Sequence, residues 1–394
     1  MTNLSPEFLP VAGIRLGSAA AGIRYPDRKD LVVIELAAGS TCAAVFTRNK
    51  FCAAPVVVAR DHLASNQPRY LLINSGNANA GTGDDGMRGA IESCRSLSAL
   101  RGCLIDQVLP FSTGVIGETL PVDRLAVAMP DALRALNENG WLDAARAIMT
   151  TDTVPKLVSR QLEYRGEHFT VTGMAKGSGM IRPDMATMIG VVLTDAEIDP
   201  ESLDTLLRSS CARSFNRLSI DGDTSTNDAV FAMASGVAGV PHDLDEFSRA
   251  FEGLCLDLAR MIAADGEGAQ RVVEVEVRGA ESTEDAREVA ETVGSSLLVR
   301  TAIAGGDPNW GRIVAAIGRT NAAFDPDRIR IEVNGLRLFD QGKPVQDDLS
   351  ALAAAFSSPN VEMTIDLAAG SCEDRFLTCD LTAEYIRINA DYTT

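Results

Sequence analysis

Histidine is nearly absent from this sequence. Its 394 residues include three, His62, His168 and His242, which are far apart and never in an HExxH arrangement. Imidazole-based devices such as Ser–His–Asp or Cys–His therefore have few candidates, and any chemistry is expected to rest on other groups. The eight cysteines include no CxxC pair, so zinc-type spacing is missing and the thiols read as free, several of them small buried apolar side chains. No apolar run approaches the roughly 20 residues that cross a bilayer. The N-terminal stretch lacks a basic region followed by an apolar one, so no secretion signal is expected and cytoplasm is the default location. Basic runs are missing too. Lys plus Arg is 36 against 54 for Asp plus Glu, a net charge of −18, which argues against a nucleic-acid or anionic-membrane partner.

What remains is an ordinary globular composition, 46% apolar and 23% charged, in a chain long enough for two or three packed units. The N-terminal third reads as strands and loops: Leu31–Ala38, Pro55–Ala59 and Tyr70–Ile73 are apolar or β-branched, and the last runs into the turn-rich NSGNANAGTGDDG. Helical periodicity is expected over Pro121–Asn139, interrupted at Pro130, and over Leu142–Met149, Glu201–Phe215, Leu244–Ala264, Thr283–Val299 and Asp348–Phe356. Strands are expected at Glu167–Gly173, Met188–Leu193, Arg271–Val277, Val361–Leu367, Arg375–Leu381 and Tyr385–Ile388. The Asn334–Gly335 pair predicts a hairpin between Ile329–Val333 and Leu336–Phe339. Helices and strands mix without regular βαβ alternation, which points to α+β with layered sheets rather than a doubly wound parallel sheet.

Several segments concentrate groups that could do chemistry. The run Lys176-Gly-Ser-Gly-Met-Ile-Arg-Pro-Asp-Met-Ala186-Thr187 pins an irregular loop directly before an apolar strand. It lacks the GxxxxGK[ST] order of a nucleotide loop, and a purely structural glycine loop is the plain alternative. Thr113-Gly114 ends an apolar run and could present donors to a negative oxygen, or form a simple turn. Thr150-Thr151-Asp152-Thr153 could bind a substrate or cap a helix. Ser219–Asp228 (SIDGDTSTND) resembles a calcium loop only loosely and is read as a structural turn network. In Asp265-Gly-Glu267-Gly268 a helix stop explains the glycines but not both acids. Gly306-Asp-Pro-Asn-Trp310-Gly-Arg312 is mostly turn chemistry.

Taken in order, these segments resemble the ornithine acetyltransferase family of arginine biosynthesis, also called bifunctional glutamate N-acetyltransferase. The resemblance runs from Gly39–Asn49 (GSTCAAVFTRN) through Asn74–Asn79, KGSGMIRPDMATMI, SIDGDTSTND, DGEG and GDPNWGRI to the C-terminal INADYTT. It implies a layered α/β/β/α scaffold with an N-terminal-threonine nucleophile. By this resemblance the chain cuts itself between Ala186 and Thr187, giving segments 1–186 and 187–394, the second carrying a smaller α/β subdomain from about 280 to 394. The cut fits the scarcity of histidine: it frees an α-amine with a pKa near 8 that can serve the Thr187 hydroxyl as a local base.

The resemblance also assigns roles. Thr113 and Gly114 become the oxyanion pair. Thr150 (or Thr151), Lys176, Thr187, Glu267, Asn389 and Thr394 become substrate contacts, with Lys176 suited to a carboxylate and Glu267 to an ammonium. The implied reaction carries acetyl from N-acetylornithine to glutamate, with acetyl-CoA as a further donor in bifunctional members. It needs no metal or organic cofactor, and the implied assembly is a heterotetramer of two cleaved pairs. The chain departs from many relatives at Gly81, where they have Cys, and at Gln270-Arg271, where DGEGATK is common. Two rival readings remain. A hydrolase or aminopeptidase on a related scaffold would release acetate without acetylglutamate, and a non-catalytic binding protein would keep the Ala186–Thr187 bond intact.

Overall fold

Apolar and β-branched stretches form the first strands, β1 (Ile14–Ala19), β2 (Leu31–Leu36) and β3 (Thr41–Phe46). The computed structural model describes residues 8–164, 166–182, 188–345 and 349–391. Onward from β3 come α1 (Ala54–Ser65), β4 (Tyr70–Asn77), α2 (Gly83–Arg101), β5 (Val108–Val115), α3 (Val122–Arg134) and α4 (Trp141–Ala147). The middle of the chain supplies β6 (Lys156–Tyr164), β7 (Glu167–Lys176), β8 (Ile189–Ala196), α5 (Pro200–Arg213), β9 (Ala229–Gly239) and α6 (Leu244–Ala264). The rest runs β10 (Val272–Ala280), α7 (Thr283–Gly294), α8 (Leu297–Ala304), α9 (Trp310–Ile317), β11 (Arg330–Val333), β12 (Leu336–Asp340) and β13 (Lys343–Pro344). It closes with α10 (Leu349–Phe356), β14 (Asn360–Asp366), β15 (Cys372–Cys379) and α11 (Ala383–Asp391).

Three mixed sheets result, in the orders β1-β2-β4-β5, β3-β9-β8-β7-β6 and β13-β12-β11-β14-β10-β15. Each contains one parallel pair: β4 with β5, β8 with β9, and β10 with β14. Alternation along the strands sets the layers. Val32 and Ile34 of β2 join Ile189, Val191 and Leu193 of β8 in one core between the first two sheets, whereas Leu31 and Val33 face α2 and α3. Val192 of β8 faces α5 and α6. The order is thus helices, sheet, sheet, helices, the α/β/β/α arrangement expected. The third sheet has its own core with α7, α9 and α10, from Val273 to Phe376.

Local propensity was overruled where packing demanded it. Pro55–Ala59 is helical, not extended: Pro55 starts α1, where its missing N–H costs nothing, and Val56 and Val58 face different cores. With α2, this puts two long helices in a third expected to hold only strands and loops. α3 runs through Pro130 because Leu125, Ala128, Met129 and Ala132 bury one face against the first sheet, outweighing a cost of roughly 3 kcal/mol. The helix expected over Thr283–Val299 breaks at Ser295-Ser296, where Ser296 caps α8. The GDPNWGR segment is not all turn, since Asn309 caps α9 through the Arg312 N–H. The strand expected at Tyr385–Ile388 is the helix α11. The hairpin at Asn334-Gly335 forms with both residues at positive φ, 48° and 75°.

Candidate active site

A cleft of about 160 Å³ opens where β5, β7 and the end of α6 meet α11. Thr113, Gly114, Thr150, Thr151, Lys176, Glu267 and Asn389 all line it, so the described residues expected to form a site do come together. Thr187, Ala186 and Thr394 lie outside the described residues.

Each wall has a local cause. Gly114 ends β5 opposite Gly76 of β4 at φ 134°, and a Cβ there would collide with the Gly76 carbonyl carbon and the Asn77 nitrogen. Only glycine fits both the angle and the approach. The Asn74–Asn79 run is spent on this corner. Asn74 Nδ2 donates to the Asn77 carbonyl at 2.9 Å, and Ser112 Oγ donates to Asn74 Oδ1 at 2.6 Å. Asn227 Nδ2 ties the corner to the SIDGDTSTND segment through the Ala78 and Ser112 carbonyls, at 2.7 and 2.9 Å. Thr47 Oγ1 and Asn49 Nδ2 hold the same segment through the Ser225 and Thr224 carbonyls.

The opposite wall is organised by buried charge. Lys156 is fully buried and donates to Asp152 at 2.7 Å and Asp265 at 2.6 Å. Asp152 also accepts from the Gly177 N–H at 2.6 Å and the Thr150 N–H at 3.0 Å, and lies 4.0 Å from Lys176 Nζ. Asp265 accepts from the Thr153 N–H and hydroxyl. The two acids that a helix stop left unexplained thus divide their work: Asp265 anchors the buried pair, and Glu267 faces the cleft. Burial pushes the Lys176 ammonium below the usual lysine range, against the pull of Asp152. Burial acts to raise Asp152, but Lys176 and Lys156 prevail and bring it down to about 2.

Helix α11 supplies the third wall. Tyr385 and Asn389 stand four residues apart on one helical face, close enough for both to reach the cleft. Asn389 Nδ2 donates to Glu267 Oε2 at 2.8 Å. Burial, together with Asp221 and Glu267, pushes the Tyr385 phenol up to about 12. Glycine at 179 leaves room for the Glu267 carboxylate, since a Cβ there would lie 2.5 Å from one of its oxygens.

Reasoning from sequence missed several lining residues. Asp221, Asp223, Ser225 and Asn227 belong to the segment read as structural turns. That reading holds for half of Asp221: its carboxylate accepts from the Met180 and Ile181 N–H groups at 2.5 and 2.8 Å, yet it also lines the cleft. The density of acids and hydroxyls was the available signal. Thr151 Oγ1 bonds Ser178 Oγ at 2.7 Å, whereas Thr150 lines both this cleft and a second recess. Arg271, one of the two departures beside Glu267, turns away to Asp380 and the Ala304 carbonyl. Among the described residues no group of three or more His, Cys, Asp or Glu side chains could hold a metal, and no helix is long and apolar enough to cross a membrane.

Comparison with known proteins gives a consistent picture. A sequence model of the ArgJ family matches residues 15–394. The chain is 47% identical over 401 residues to the arginine biosynthesis bifunctional protein ArgJ of Methylococcus capsulatus, with 100% of this chain and 98% of that one covered. It is 44% identical to the protein of the same name from Pseudomonas fluorescens, covering 99% and 98%. Among solved structures, ArgJ from Bacillus halodurans is 39% identical over 50% of this chain and 96% of its own, with a TM-score of 0.49. Ornithine acetyltransferase from Mycobacterium tuberculosis, complexed with ornithine, is 33% identical over 44% of this chain and 92% of its own, with a TM-score of 0.39.

Proposed function

This chain belongs to the ArgJ family, and from that premise we propose how its residues divide the work of glutamate N-acetylation by acetyl transfer in arginine biosynthesis. The Thr187 hydroxyl attacks the acetyl carbonyl of N-acetylornithine, its proton passing to the free α-amine of Thr187. The amide bond breaks, ornithine leaves with the proton on its nitrogen, and acetyl-Thr187 remains. The amine of glutamate then attacks the ester and departs as N-acetylglutamate, restoring the hydroxyl. Thr113 and Gly114 stabilise the oxyanion in both halves, each donor worth roughly 3 kcal/mol of barrier. Lys176 takes the substrate α-carboxylate. Glu267, held by Asn389, takes the ornithine side-chain ammonium, and Thr150 and Thr394 complete the contacts.

One observation supports this reading above the others: Thr113, Gly114, Thr150, Lys176, Glu267 and Asn389 come from separate parts of the chain and line a single cleft. Thr113, Gly114, Thr150 and Lys176 precede residue 187, and Glu267 and Asn389 follow it. Cleavage before Thr187 would therefore give polypeptides 1–186 and 187–394 that share one site, and the reading includes their pairing in a heterotetramer of two each. Cytoplasmic action, without metal or organic cofactor and with acetyl-CoA as an additional donor, belongs to the same reading.

The test is direct. Enzyme mixed with N-acetylornithine alone should gain one acetyl group, about 42 Da, on the 187–394 polypeptide, and should lose it when glutamate is added. Double-reciprocal plots of donor and acceptor should be parallel. Intersecting lines with no acetylated polypeptide would overturn the covalent route.

A further inference from the structure

The two substrates of the proposed transfer present the same α-amine and α-carboxylate but end in opposite charges, an ammonium on ornithine and a carboxylate on glutamate. The main cleft suits the first. Among the described residues, its ionisable lining apart from Lys176 is Asp221, Asp223, Glu267 and the Tyr385 phenol. A side-chain carboxylate placed among three acids would face like charges in a partly dry site.

A second recess meets the cleft at Gly114 and Thr150, which line both. Its other walls are Arg24, Tyr25, Arg28, Asp30, Ser75, Gly76 and Met149. Arg28 donates through one guanidinium nitrogen to the Met149 carbonyl, which fixes it beside Thr150, and its charge also acts on Asp30. Arg24 stands 3.6 Å from Glu118 in a partly exposed pair, weak enough to be exchanged. Asp30, the one acid among the described lining residues, is buried and already accepts from the Ala21 and Ile23 N–H groups, both at 2.6 Å. Burial acts to raise its pKa, against the pull of those two N–H groups and of the Arg28 charge. The recess holds about 50 Å³, room for a carboxylate but not for a nucleotide.

We propose that this recess binds the side-chain carboxylate of the acyl acceptor, with Arg28 as its principal partner and Arg24 at the mouth. Donor and acceptor then share Lys176 and the oxyanion pair but send their side chains to opposite sides of Gly114: the ammonium toward Glu267 and Asp221, the carboxylate toward Arg28. This rests on the acetyl-transfer reading and adds the origin of its selectivity for a dicarboxylic acceptor.

The experiment separates the half-reactions. Purified wild type, Arg28→Gln, Arg28→Lys and Arg24→Gln are assayed for ornithine release from N-acetylornithine, then for acetyl transfer to glutamate and to glutamine. Arg28→Gln should raise the KM for glutamate by about tenfold or more and shrink the preference for glutamate over glutamine. Its KM for N-acetylornithine should stay within about twofold of wild type, since the donor's ammonium lies toward Glu267, on the other side of Gly114. Arg28→Lys should recover part of the preference, and Arg24→Gln, at a partly exposed site, should show a smaller shift in the same direction. An unchanged glutamate KM in Arg28→Gln and Arg24→Gln, or an equal loss for donor and acceptor, overturns the subsite. Wild type that releases no ornithine would instead remove the transfer reading, and the subsite with it.

Discussion

Thr187→Ala should leave the protein as a single full-length polypeptide with acetyl transfer reduced by about 10⁴-fold or more. With three histidines, none of them lining the cleft, the site has no imidazole to activate a remote nucleophile. The proposed solution joins nucleophile and base in one residue, and the alanine side chain removes both the attack that cuts the chain and the attack that takes the acetyl group. Met188, the next residue, is anchored: its N–H donates to Asp228 Oδ1 at 3.1 Å, and its carbonyl accepts from the Ala229 N–H. On the other flank, Ile181 is held by Asp221 and by the Ser219 hydroxyl. None of these bonds uses the Thr187 side chain, so the variant should fold normally. Thr187→Ser should keep part of both activities because it keeps the hydroxyl. Intact-mass spectrometry and a glutamate-dependent transfer assay read the two outcomes, and normal turnover in the alanine variant would eliminate Thr187 as the nucleophile.

Lys156→Met should cost about 3–5 kcal/mol of stability, because it strands Asp152 and Asp265 without their shared buried cation. Few single substitutions have so large an effect. Lys156 precedes residue 187 and Asp265 follows it, so the same change should loosen the hold between the two proposed cleavage products. Adding Asp265→Asn should restore part of the loss, since an uncompensated charge is then removed. Urea unfolding of the three variants checks this, and a loss below about 1 kcal/mol in Lys156→Met would refute it. Asp152 adds a pH signature. Its folded pKa of about 2 lies below its ordinary value of 3.8, so it stabilises the fold fully above that ordinary value. That contribution, on the order of 2 kcal/mol, is lost as pH falls from about 4 through about 2.

The candidate site residues were legible before the fold was known chiefly through the family resemblance. Composition marked the short runs that hold Gly114, Lys176 and Glu267 but left a simple turn or a structural glycine loop open for the first two, and the close approach that demands glycine at 114 comes from Gly76 and Asn77 on another strand. The alternation in β10 reports which of its faces is buried, whereas β2 and β8 are buried along their whole length and show none, so their layering was expected only from the family resemblance. What neighbours in sequence could not decide was the outcome of contacts between distant segments. The apolar run after Pro55 reads equally as strand or helix until two cores claim its opposite faces, and the last strand expected became α11 because a helix brings Tyr385 and Asn389 together beside Glu267. The double duty of Asp221, the closing of Asp265 onto buried Lys156 and the arginine recess behind Gly114 depend on pairs of residues separated by 40 to more than 100 positions. Sequence alone thus determined the chemistry each short segment can offer. The tertiary structure decided which of those groups share a cavity, because charge and burial are set by whatever the folded chain brings alongside.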